Sequence, residues 1–154
     1  MPATPAWPPQ STPRLFVESP LADSIELSVS GPQAHYLISV MRMKIGSPIK
    51  LFDSISGEWL AEVAIIGKRD LILRVTGQLR AREAVPDIWL LAAPIKKARI
   101  DLDAEKACEL GVARYQPVIT RRTVIERLNM DRLRSHLVEA AEQCGRTVLP
   151  DMAE

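Results

Sequence analysis

Cysteine is scarce: Cys108 and Cys144 are the two in the chain. Both fall near the ends of expected helices and nothing suggests secretion, so they read as a reduced, cytosolic pair serving as small buried hydrophobes. No Cys/His cluster has metal-ligand spacing, which excludes a metal centre of the usual kind. A glycine-rich phosphate loop and a G-x-S-x-G elbow are also missing, so nucleotide-hydrolysing and serine-hydrolase chemistry lose their support. No apolar run approaches the roughly 20 residues that a membrane-spanning helix needs. The opening, Met1 to Pro13, lacks the basic and apolar segments of a signal peptide. With its five prolines it reads as a disordered lead-in.

Net charge is equally slight, +1 on 154 residues, which argues against a histone-like binder of nucleic acid. The distribution of charge says more than its sum. Between Glu26 and Asp53 there is no acid, only Arg42, Lys44 and Lys50, and between Glu109 and Glu126 stand Arg114, Arg121 and Arg122, again without an acid. Two local cationic patches on a nearly neutral chain suit a ligand with phosphates or else two solvated faces. The composition, 47% hydrophobic and 25% charged, is that of an ordinary soluble protein.

Hydrophobic periodicity divides the chain. Arg14 to Val17 and Ile25 to Val29 have the pattern of short strands, and Gly31-Pro32 opens a short helix on which Leu37, Ile38 and Met41 fall at helical spacing. His35 and Arg42, seven apart or about two turns, are expected on one stripe of that helix. Three strands follow at 48–52, 58–66 and 71–79, with turns at Ser56-Gly57 and Gly67-Lys68. Residues 14–79 therefore predict a compact β-barrel with one helix, and the charged, proline-ended stretch 80–86 a linker.

From residue 87 the period is that of an α/β domain. Ile88 to Ala93 is a continuous apolar run suited to a parallel strand buried on both faces. A helix over 98–110 ends at Gly111, a strand covers Tyr115 to Ile119, and Asn129 caps a helix with Leu133, Leu137, Ala140, Ala141 and Cys144 on one stripe. Val148-Leu149 is expected to begin a third strand. The pattern β-α-β-α-β is the first half of a parallel sheet, and a half sheet leaves an unpaired edge and the stripe of the 131–144 helix uncovered. Glu105 with Glu109 and Glu139 with Glu142 read as charged helix surface, not as acid–base pairs.

Several segments then combine. Arg14-Leu15-Phe16, His35 with Val40-Met41-Arg42-Met43-Lys44-Ile45-Gly46, Leu51-Phe52-Asp53, Lys106 to Val112 with Pro117, and Glu139 to Arg146 with Pro150 stand in an order and spacing similar to the ribosomal small-subunit RNA methyltransferase E family. The resemblance covers about residues 14–152, the N-terminal portion of a family member. It implies an α+β two-domain protein: a PUA-like RNA-binding barrel over 14–79, then over 87–154 the N-terminal part of a SPOUT methyltransferase domain, truncated before its knot. It also implies methyl transfer from S-adenosylmethionine to N3 of a uridine in small-subunit (16S) ribosomal RNA, by a cytoplasmic homodimer without metal or membrane. The donor-binding loop is expected beyond this chain, which alone would then be inactive. RNA contacts are expected from Arg14, Phe16, His35, Arg42, Lys44, Lys96, Lys97, Arg121 and Arg122, and substrate positioning from Arg146 and Gln143. The competing reading is a non-catalytic PUA-type RNA-binding module. A nucleotide-binding α/β domain is disfavoured by the missing phosphate loop.

Overall fold

The computed structural model describes residues 8–125 and 127–153, and of Lys97 the backbone alone. Of the expected lead-in, residues 1–7 lie outside the described part. Of the rest, Pro9 to Ser11 are exposed, Thr12 is buried, and the Pro13 carbonyl accepts from the Lys50 amide at 2.9 Å. The chain forms two compact units that divide between Arg82 and Glu83, inside the stretch expected to link them.

The first unit is one five-stranded sheet in the order β1-β3-β4-β5-β2, with β1 (Arg14–Phe16), β2 (Glu26–Ser30), β3 (Pro48–Phe52), β4 (Glu58–Ile66) and β5 (Asp70–Arg80). Only β1 and β3 run parallel; the other three pairs are antiparallel. β2 shows how the sequence sets the sheet: Leu27 and Val29 point inward while Glu26, Ser28 and Ser30 face solvent. Register shifts along β4 bend the sheet, which stays open between β1 and β2 and so forms a half-barrel. Leu51, Ile49, Val63, Leu71, Leu73 and Val75 fill its concave side, joined by Ala34 and Leu37 of the helical segment. At Gly57, with φ at +105°, a Cβ would run into the Arg80 carbonyl, so glycine alone lets the start of β4 meet the end of β5.

The helical segment departs from expectation. An α-helix, α1, covers only Gly31–His35, and Tyr36–Val40 is a π-helical turn closed by the Met41 amide on the Tyr36 carbonyl at 2.9 Å. Arg42 then takes a left-handed φ of +51°. His35 and Arg42 do not share a helical stripe, because the wide turn and the reversal at Arg42 break the period between them.

The second unit has three parallel strands, β6 (Trp89–Ala92), β7 (Arg114–Pro117) and β8 (Asp151–Met152), joined by α2 (Lys97–Leu110) and α3 (Met130–Cys144). The Asn129 side chain accepts from the Arg132 amide at 3.0 Å and starts α3; Gly111 at φ +81° ends α2. The third strand begins later than expected, after Pro150 and not at Val148. A proline has no N–H to give to the ladder, and pairing starts with Asp151 opposite Arg114. The helices pack through Ala104, Ala107, Cys108, Leu133, Leu137 and Ala141, all nearly fully buried. The stripe of α3 expected to be uncovered is therefore covered by α2.

Candidate nucleic-acid interface

Two of the expected RNA contacts belong to the interior. Arg14 donates from Nε to Glu58 Oε1 at 2.6 Å and lies over the Phe52 ring at 4.5 Å, with its side chain 11% exposed. Arg80 completes the pair with a 2.8 Å bond to Glu58 Oε2. Burial opposes the charge on Glu58, but the hydrogen bonds and charges of the two arginines outweigh it and hold its pKa below the usual carboxylate range. Phe16 is buried against Phe52, with ring centroids 5.6 Å apart, and offers no face for a base to stack on. In the structure these two side chains, expected at the RNA, tie β1 to β3 and β4. Asp53 is a second buried carboxylate. Burial works against its charge, yet amides of Ser56, Leu21 and Ile55 and the Ser56 hydroxyl lower its pKa and lock the β3–β4 turn.

His35, Arg42 and Lys44 are exposed, and among the described residues none of them has an ion pair. The His35 ring Nδ1 contacts the Ser39 hydroxyl at 3.3 Å across the π turn. These two line a groove with Gly31, Ile38, Lys68 and Arg69, the last two from the tip of the β4–β5 hairpin. In the sequence, Gly67-Lys68 reads only as a turn; the signal beside it is two adjacent cations at a hairpin tip.

In the second unit the cations divide between the two ends of the sheet. Lys96 stands before α2, after the C-terminal end of β6, and Arg121 and Arg122 lie exposed in a turn after β7, closed by bonds between Thr120 and Thr123. Of Lys97, expected beside them, the side chain lies outside the described residues. All four positions follow the C-terminal ends of neighbouring parallel strands, where such sheets bind ligands. Arg146 and Gln143 belong to the other end, where α3 returns toward the start of β8. Arg146 donates to Glu83 Oε2 at 3.0 Å and to the Glu109 carbonyl from Nε and Nη2 at 3.3 and 3.1 Å. A Cβ on Gly111 would strike its guanidinium. Thr147 joins the same knot of bonds, its amide donating to Glu83 Oε1 at 2.8 Å. Arg146, expected to position the substrate, thus fastens the chain entering the unit to the ends of both helices, and Gln143 is exposed beside it. Cys108 is buried, which pushes its thiol up to about 12, whereas Cys144 is exposed and not the buried residue expected.

Among the described residues no group of three or more His, Cys, Asp or Glu side chains could hold a metal ion, and no helix is long and apolar enough to cross a membrane.

Residues 29–76 match the RNA methyltransferase PUA domain family and residues 82–154 the RNA methyltransferase domain family. The chain is 32% identical over 138 residues to the ribosomal RNA small subunit methyltransferase E of Rickettsia conorii, covering 89% of this chain and 57% of that protein. It is 27% identical over 142 residues to the protein of that name from Synechocystis, with 91% and 46% covered. Among solved structures, a Legionella pneumophila protein in complex with the bound cofactor SAM superposes with a TM-score of 0.82 at 26% identity, over 92% of this chain and 62% of that one. The chain therefore spans about half the length of the curated relatives it matches.

Proposed function

With one unit matching the PUA family of RNA methyltransferases and the other their methyltransferase domain, we infer that the chain is the RNA-binding unit and part of the catalytic unit of an S-adenosylmethionine-dependent methyltransferase. Its substrate is small-subunit ribosomal RNA, and its place the cytoplasm. The observation that carries the reading is the succession of the two matched domains, over residues 29–76 and 82–154. Two exposed cationic surfaces agree with it: Arg42 and Lys44 on the first unit, and Lys96, Arg121 and Arg122 at the strand ends of the second. Folded RNA is held largely through phosphates and unpaired bases, so local patches serve even at a net charge near zero.

The methyl donor carries a positive sulfonium. The strand-end rim described here offers it Lys96, Arg121 and Arg122, charges of the same sign, and so does not fit it; the donor site is assigned to the portion of the longer relatives that this chain does not span. When bound, the donor supplies the methyl group. The rim cations suit the other partner. A pyrimidine N3 is a nucleophile only after losing its proton, and a guanidinium near the ring carbonyls stabilises the anion that remains. We assign that task to Arg121 or Arg122, with uridine N3 as the acceptor and a homodimer as the working form.

Two titrations test the reading. The chain should bind a small-subunit ribosomal RNA fragment in a salt-dependent manner, while isothermal titration with S-adenosylmethionine should give no micromolar binding. Tight donor binding would move the donor site into this chain. RNA binding without any methyl transfer by the longer protein would favour the non-catalytic module.

A further inference from the structure

We propose that the groove between the π-helical turn and the β4–β5 hairpin tip of the first unit is a backbone site for single-stranded RNA. In it Lys68 and Arg69 take phosphate oxygens, and Ser39 with His35 takes a ribose 2′-hydroxyl. This rests on reading the first unit as RNA-binding and names the contacts by which it binds.

The register of the sheet builds the groove. Ser30 pairs with Asp70 and Ile66 with Leu71, which sets the hairpin tip beside Gly31, the first residue of α1. The resulting cavity, ≈ 290 Å³, has Ile38 and Gly31 as its apolar part and His35, Ser39, Lys68 and Arg69 as its polar part. Lys68 and Arg69 are exposed, and among the described residues neither has an ion pair. The nearest acid in sequence, Asp70, turns its carboxylate back over Gly67, where a Cβ would collide with it. Contrast Arg74 on the same strand β5, whose guanidinium is already taken by Glu26 at 2.8 Å and Glu62 at 3.9 Å. An unpaired cation at a groove is available to a phosphate; a paired one must first break its bridge.

The π turn supplies the second half. It sets the Ser39 hydroxyl 3.3 Å from the His35 ring, a donor–acceptor couple at the groove wall. A ribose 2′-hydroxyl both donates and accepts, and is the group that separates RNA from DNA at such a site. π turns are rare and frequent at functional sites, and this one is followed by Arg42 in a left-handed conformation that a residue with a side chain seldom adopts. An open groove of this size suits one strand, not a duplex.

The test is a fluorescence-anisotropy titration of the whole chain with a short labelled single-stranded RNA, and with DNA of the same sequence, over a salt series. Removing one phosphate-binding cation lowers the salt slope by about 0.7 for a single strand. Lys68→Ala/Arg69→Ala should lower it by about 1.4, twice that figure, and Arg74→Ala should leave it unchanged. Ser39→Ala should weaken RNA toward the affinity of DNA without altering the slope. All of these lie at exposed positions, and an unchanged melting curve verifies the fold. If the wild-type chain binds the RNA and the double variant keeps its slope, the groove is not the site while the RNA-binding reading stands. An equal fall in Arg74→Ala would reduce the effect to net charge and also overturn the proposal. Absence of RNA binding by the wild type would remove both.

Discussion

The two units bury their strands by opposite means. In the first, the half-barrel curls so that its concave face closes on itself: Ile49, Leu51 and Leu73 have no exposed surface at all. The second has helices on one side of its sheet, where Tyr115 is fully buried, but on the other side of β6 Trp89 and Leu91 are 55% and 58% exposed. The apolar run Ile88 to Ala93 implies a strand buried on both faces; α2 and α3 cover one. Curling, with Ala34 and Leu37 of the helical segment, lets a small and mostly antiparallel sheet complete its core, whereas a parallel strand needs a layer on each side. The exposed face of β6 is thus the part of the molecule that calls for a further element or a second copy.

The sharpest way to break this comparison is to open both surfaces. Leu73→Ala, between β2 and β4 in the closed core, should cost the first unit about 2–5 kcal/mol, as core truncations do. Thermal or urea unfolding measures it. A loss below about 1 kcal/mol would mean that the half-barrel core is not the tightly packed one described.

Glu58 comes next. Glu58→Gln leaves Arg14 with a buried, poorly matched charge and should cost about 2–3 kcal/mol. It also sets a pH dependence. The pKa values of Glu58 and Asp53 are lowered in the folded state, so their contribution is complete above the ordinary carboxylate range and is lost as pH falls through the folded values. The melting point of the first unit should hold near neutrality and fall below about pH 4, less steeply in Glu58→Gln. A variant as acid-sensitive as the wild type would transfer the effect to other groups.

A smaller loss tests the helical side of the second unit. Asn129→Ala removes the acceptor for the Arg132 amide and should lower stability by about 1 kcal/mol, with Asn129→Asp restoring it.

Much of this architecture is legible in the sequence because it rests on local signals. β3 and β4 lie at 48–52 and 58–66 as alternation and turn residues imply, and Asn129 and Gly145 bracket α3 because caps are written in single residues. What is not legible depends on distance along the chain. Arg146 bonds to Glu83, 63 residues away, and to the Glu109 carbonyl, 37 away, so its structural role has no local trace. Arg14 and Phe16 carry a family motif but no sign that Glu58 and Phe52 bury them. The π turn is hidden because, over five residues, its period cannot be told from that of an α-helix. At the hairpin tip the groove is made by register between β2 and β5, and Lys68 and Arg69 gain meaning only from what faces them.

The smallest effect on stability is the most telling about the comparison. Leu91→Ser, on the outward face of β6, removes a side chain that is already 58% exposed and should change unfolding free energy by no more than about 0.5 kcal/mol. Its effect belongs instead to association. Trp89 and Leu91 alternate on one strand face, with Arg114 stacked on the Trp89 ring at 4.6 Å. Water in contact with that face is released when it is covered, so the wild-type chain should self-associate with rising concentration and Leu91→Ser should do so less. Sedimentation velocity over a concentration series reads both. A wild type that stays monomeric throughout would show that this face tolerates water as it stands, and the demand for a second covering layer would have to be withdrawn.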